Sequence, residues 1–257
     1  HERLHWSWKS FAEAVKHRSR FHFQVNKRVR RYGDDLIGVH EMLPFLGQLV
    51  RQHRLVRALP KATVLHRVRL GAHPHTVEEL GAQPMKNARA GRMNPTGIPY
   101  LYLAFDEMTA LAETEASPGQ DATVGEWSPV RDLQVIDLNH CLDCPSVFSE
   151  EKHEYEMVQF LYAFRDEISK PVAYDGSKHL EYVPTQVVSE YFAQAFTFGA
   201  GEQVDGLVYP SAVEDGGKNL VVFPRRGRGT SGLQDLPFAA LKLDVARSGR
   251  LHSAGHS

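Results

Sequence analysis

The sequence predicts an α+β fold, with helices gathered at the N-terminus and short strands and helices following in irregular order. Three observations carry that reading. Apolar residues recur at helical spacing through the first 60 residues. The period then shortens to brief, partly alternating runs. The later strands and helices do not alternate regularly enough for a doubly wound parallel sheet. A chain of 257 residues suffices for one large domain or two small ones and buries a real core.

In chain order, SWKSFAEAVKHRSRFHF (7–23) places apolar residues at helical intervals with basic residues between them. The polar connection VNKRVRRYGDD leads to GVHEMLPFLGQLVRQHRLV, a second helical pattern started or interrupted by Pro44. Pro60 closes this part, so residues 1–60 are expected to form a basic helical segment, 61–247 the body, and the small polar run 248–257 a flexible tail. Strands are expected at ATVLHRVRL (62–70), IPYLYLAF (98–105), VRDLQVIDL (130–138), GLVYPS (206–211), NLVVF (219–223) and AALKLDVAR (239–247). Helices are expected at DEMTALAETEA (106–116) behind an Asp106 N-cap, at SEEKHEYEMVQFLYAFRDEIS (149–169) behind Ser149, and at TQVVSEYFAQAF (185–196) after Pro184. GAHPHTVEELGAQP reads as a loop.

No apolar run approaches the roughly 18 residues of a membrane span, so no membrane partner is expected. No signal peptide is visible, and a start at His1 rather than Met leads us to expect that a preceding piece was removed. Residues 1–70 hold 15 Lys and Arg against 5 Asp and Glu, while the remainder holds 15 against 26. The basic quarter therefore suits nucleic acid, an acidic partner, or the acidic remainder of its own chain. Cys141 and Cys144 form one CxxC with His140 and Asp143 beside it; without a second pair it reads as reduced thiols in a cytoplasmic protein, and no metal is assigned.

The chemistry concentrates in Arg67, Arg92, Tyr102 and Glu113. Arg67 and Arg69 share one face of their strand, and so do Tyr100 and Tyr102. Arg92 lies in the turn GRMNPTG just before the second of those strands, and Glu113 lies on the helix that follows. Guanidinium groups hold a diphosphate through charge-assisted bonds. An aromatic ring stacks on a flat cationic base, and a carboxylate steadies positive charge on an anomeric carbon. This set fits cleavage of an N-glycosidic bond in a dinucleotide. Its neutral leaving group needs neither an acid nor a metal.

The succession HRVRL, GRMNPTGIPYLYLA, Glu113 and DGLVYPSA resembles the RES-domain family over about residues 62–225. SWKSFAEAVKHRSRF is similar to the N-terminal segment of its HEPN/RES subgroup. The resemblance implies a fold like that of ADP-ribosyltransferase toxins, with small mixed sheets flanked by helices around an NAD cleft. It also implies an NAD-degrading activity of the kind found in toxin–antitoxin pairs. On it, Arg67, Tyr102 and Glu113 are the catalytic set, with Ser211 of VYPSA as the family serine. Arg67, Arg69, Arg92, Asn94 and Tyr102 hold NAD, and Thr185 and Gln186 at the start of a helix offer further polar contacts. NAD is then a substrate rather than a cofactor, inorganic phosphate or water the acceptor, and an antitoxin or immunity protein the expected partner; self-association stays open. The ribonuclease spacing of HEPN proteins is not met by Arg18 and His22; Arg247 and His252 fit it by count but run into the glycine-containing tail. Two other readings stand beside this one: transfer of ADP-ribose to a macromolecule, and a non-catalytic module that binds nucleic acid or protein.

Overall fold

A computed structural model describes residues 2–20, 37–114, 116–140, 152–170, 178–225 and 238–250. Helix α1 (Glu2–His17) buries Trp8, Phe11 and Val15, the spacing of one helical face. Helix α2 (Met42–Gln52) buries Met42, Leu46, Leu49 and Val50, with Pro44 in its first turn, where a missing N–H costs nothing. Strand β1 (Val56–Leu59) follows, then β2 (Leu65–Leu70), the short helix α3 (Val77–Leu80), a 3₁₀ turn at Met85–Asn87, β3 (Leu101–Ala104) and α4 (Glu107–Ala112). Next come β4 (Asp121–Pro129), β5 (Leu133–Asp137), α5 (Lys152–Ser169), α6 (Lys178–Glu181), α7 (Val183–Gln194), β6 (Gly206–Pro210), β7 (Lys218–Val222) and β8 (Leu241–Arg250).

The strands form one eight-stranded mixed sheet in the order β1-β5-β6-β7-β3-β2-β4-β8, flanked by helices. Among the described strands only β5 and β6 pair in parallel, and the chain between them runs through α5, α6 and α7 as such a crossover requires. The seam between β3 and β2 is the weak one: a single pair, His66 opposite Ala104, joins them. On one side β3 pairs with β7 from Leu101 to Ala104, and on the other β2 pairs with β4 along its whole length. Backbone pairing within the sheet is thus thinnest between β2 and β3.

Alternate residues of the central strands enter different cores. Leu207, Val221 and Phe223 face a helical layer containing Phe11, Leu46, Phe160, Phe192 and Phe196. Leu220 and Val222 join Leu65, Leu101, Leu103 and Trp127 on the other side. A third, small-residue cluster of Val68, Ala104, Ala110, Ala122 and Val124 seats α4 on the sheet.

The expected boundary at residue 60 shows no break in packing. Trp8 meets Phe164 edge-on at 5.2 Å, Lys16 pairs with Glu181 at 2.8 Å, and β1 is hydrogen-bonded to β5. Part of the basic segment therefore does lie against the rest of the chain. The final strand reaches Arg250, pairing with Asp121, so Ser248, Gly249 and Arg250 are strand rather than tail. The expected cap Ser149, the pair Cys141 and Cys144, and His22 and His252 lie outside the described residues.

Candidate active site

The parting of β2 from β3 opens a cleft of about 170 Å³. Its walls are His66, Arg67 and Val68 of β2, Tyr102, Leu103 and Ala104 of β3, Ala110, Glu113 and Thr114 at the end of α4, Tyr209 of β6 and Asn219 of β7. Arg67, Tyr102 and Glu113, singled out from the sequence, therefore share one cavity.

Arg67 is half-buried, yet its Nη1 is sealed from solvent and has no hydrogen-bond partner among the described residues. Burial, with Arg69 next along the strand face, pushes its pKa down to about 9. A guanidinium held this way has a lasting electrostatic demand for an anion. Arg69 donates to the Gly81 carbonyl at 3.1 Å and stands outside the cleft lining.

Tyr102 is a cleft wall and also a brace. Its hydroxyl donates to Asn94 Oδ1 at 2.8 Å and accepts the Met93 N–H at 3.0 Å, which ties β3 to the turn ahead of it. Burial raises its pKa above the ordinary phenol value, so it stays protonated. Asn94 in turn donates to the carbonyls of Arg89, Pro95 and Ile98, at 3.0, 3.2 and 2.9 Å. Gly91 is needed in this turn because a Cβ there would stand 2.5 Å from Asn94 Oδ1 and 2.8 Å from the Tyr102 hydroxyl.

Arg92 points elsewhere. Its Nη1 donates to the carbonyls of Ile168 and Lys170 at the end of α5, and its guanidinium lies 5.6 Å from the Tyr182 ring centre. A cation at a helix C-terminus is favourably placed for the exposed carbonyls there. Thr185 donates to the Arg92 carbonyl at 2.6 Å, and the Gln186 amide donates to the Gly91 carbonyl at 2.7 Å. The structure thus gathers Arg92, Asn94, Thr185 and Gln186 into a knot of turn and helix ends behind Tyr102, outside the cleft lining.

Glu113 is the C-cap of α4 and is exposed. The helix is one and a half turns long and ends at Ala112, so Glu113 follows it rather than lying within it. Asp106 caps the other end as expected, accepting the Thr109 N–H at 2.7 Å, and that bond is the main reason its carboxyl stays below the usual range. Glu113 Oε1 accepts two donors: the Ser211 hydroxyl at 2.7 Å and the Asn219 amide at 2.6 Å. Ser211 lies just after β6, where its oxygen also accepts the N–H groups of Val213 and Glu214. Gly217 allows this approach, because a Cβ there would sit 2.5 Å from Thr109 Oγ1 of α4.

Of the lining residues not singled out from the sequence, Tyr209, Asn219 and His66 bear most on the chemistry. Tyr209 stands two residues before Ser211, and burial raises its pKa above the ordinary phenol value. Asn219 opens the apolar run NLVVF, and a polar residue buried at the head of such a strand is the only trace the sequence leaves. His66, beside Arg67, has a buried Nδ1 with no partner among the described residues. Among those residues no group of three His, Cys, Asp or Glu is arranged to hold a metal ion, and no helix is long and apolar enough to cross a membrane.

Residues 64–240 match the family described as the RES domain, well over half of the 257-residue chain. The chain belongs to that family. Its N-terminal helices lie outside the matched region. No curated protein and no solved structure matches it significantly.

Proposed function

We propose that this RES-domain chain is an NAD-consuming enzyme that breaks the bond between nicotinamide and ribose. The observation that carries the reading is the cleft itself: an arginine whose buried Nη1 and a carboxylate whose Oε2 have no hydrogen-bond partner among the described residues line the same small cavity. Arg67 is the group for a pyrophosphate oxygen. Tyr102 and Tyr209 supply aromatic walls for a flat base. Glu113 faces the ribose, where its charge stabilises the cation that develops as the glycosidic bond lengthens.

The electron pair of the C–N bond leaves with the pyridinium nitrogen, so nicotinamide departs neutral and needs no proton. An acceptor oxygen then bonds to the anomeric carbon. Phosphate gives ADP-ribose 1″-phosphate; water gives ADP-ribose and releases a proton to solvent. No metal or organic cofactor enters this scheme. Arg92, Asn94, Thr185 and Gln186 act in it by fixing Tyr102 and the turn beside it. A chain that consumes NAD fits a toxin or defence effector held in check by a neutralising partner.

Product analysis after incubation with NAD, with and without inorganic phosphate, tests the reading. Free nicotinamide together with a phosphate-dependent second product supports phosphorolysis, and ADP-ribose in both cases supports hydrolysis. ADP-ribose fixed to a macromolecule would replace the proposal with a transferase, and intact NAD would remove it.

A further inference from the structure

We infer that Asn219 is a positioning residue for this reaction: it holds one oxygen of Glu113 so that the other faces the ribose. The inference rests on the NAD-cleaving reading and adds to it a residue that neither the motif nor the cleft chemistry singled out. Asn219 is buried in β7, fixed on both sides by pairing with Ala104 of β3 and Tyr209 of β6. Glu113, in contrast, is exposed and caps the end of a short helix, so its orientation depends on the hydrogen bonds it accepts. A side chain of that kind loses rotamer freedom only when something holds it.

Two donors converge on the same atom. Asn219 Nδ2 and Ser211 Oγ both donate to Oε1, at 2.6 and 2.7 Å, while Oε2 has no hydrogen-bond partner among the described residues. The two donors differ in rigidity. Ser211 belongs to a loop, and its oxygen also accepts two turn N–H groups. Asn219 belongs to a central strand of the sheet. Its amide is therefore the fixed reference against which the carboxylate is aimed.

Asn219→Ala is expected to lower kcat for nicotinamide release by about tenfold to a hundredfold, the usual cost of a misplaced catalytic group. KM for NAD is expected to stay within about threefold, because Asn219 acts through Glu113. In a Glu113→Gln background the same change is expected to cost less than about twofold, since the group it serves is already disabled. Asn219→Asp keeps the shape if the alanine variant does not fold. It is expected to be slow at neutral pH, where two carboxylates oppose each other, and to regain rate as the pH falls and a proton lies between them.

Full activity in Asn219→Ala overturns the proposal. So does a loss confined to KM, an equal loss in both backgrounds, or an Asn219→Asp variant with no such gain toward acid. Wild-type protein that releases no nicotinamide overturns the NAD reading and this proposal with it, an outcome distinct from the others because the variants are then never slower than their parent.

Discussion

Glu113→Gln isolates the charge on which the proposed chemistry depends. The substitution keeps the shape of the side chain, and an amide oxygen still accepts from Ser211 and Asn219, which lie 2.7 and 2.6 Å away in the native arrangement. What it removes is one unit of negative charge, which the proposal places next to the anomeric carbon. At about 4 Å, opposite unit charges attract by about 1 kcal/mol in water and about 4 kcal/mol at an effective dielectric near 20. Glu113 is exposed before substrate arrives, which places the free cleft toward the weaker limit, and a bound dinucleotide excludes water from it. The expected loss of transition-state stabilisation is about 3 kcal/mol, or at least about a hundredfold in kcat. Stability is expected to change by less than about 1 kcal/mol, as befits a surface position. Steady-state nicotinamide release and a thermal melt measure the two quantities. Turnover within about threefold of wild type, in a variant that melts normally, would refute the role given to Glu113.

Four other expectations follow from the same geometry. Arg67→Ala should raise KM for NAD by about tenfold or more, since a charge-assisted bond to a buried anion is worth at least about 1.5 kcal/mol, and an unchanged KM would contradict the phosphate assignment. Because burial disfavours the charged guanidinium, the proton leaves Arg67 of the free protein through about pH 9, so NAD affinity should hold below that value and fall above it; calorimetry across the range checks this, and constant affinity well above it would count against Arg67 as the anion's partner. Arg92→Ala should loosen α5 and lower stability by about 1–3 kcal/mol through the carbonyls of Ile168 and Lys170, as seen by denaturant unfolding, and a fall in NAD affinity alone would argue for a direct contact with substrate. Removal of residues 1–60 takes away Trp8, Phe11, Leu46, Leu49 and β1, so the remainder should fail to give a cooperative melt; a stable 61–257 fragment would contradict the shared core.

Much of the fold was legible because its elements obey simple periods. The apolar residues of α1 and α2 repeat on one face, and NLVVF and GLVYP are short buried runs bounded by turns. Strand β4 escaped because DATVGEWSP is buried on both faces, which erases alternation, and because its Gly, Ser and Pro read as punctuation. Strand β1, VRAL, is four residues of mixed character directly after a helix, and only its pairing with β5 makes it a strand.

The site was legible to a similar depth. Arg67, Tyr102 and Glu113 stand out by residue type and by the turn–strand–helix unit that orders two of them. Asn94, Thr185 and Gln186 were read as ligand contacts because polar residues at a turn and a helix start suit that role. Their side chains are in fact engaged with the carbonyls of Ile98, Arg92 and Gly91. Asn219 leaves only the trace of a polar residue heading an apolar run, because it meets Glu113 across 106 residues of chain.

The most direct test of the central claim is a time course of free nicotinamide from NAD labelled in the nicotinamide ring, run with wild-type protein and Glu113→Gln side by side. The account predicts many nicotinamides released per wild-type molecule and a rate lower by at least about a hundredfold in the variant. Label that stays in intact NAD, or equal release by both proteins, would contradict it.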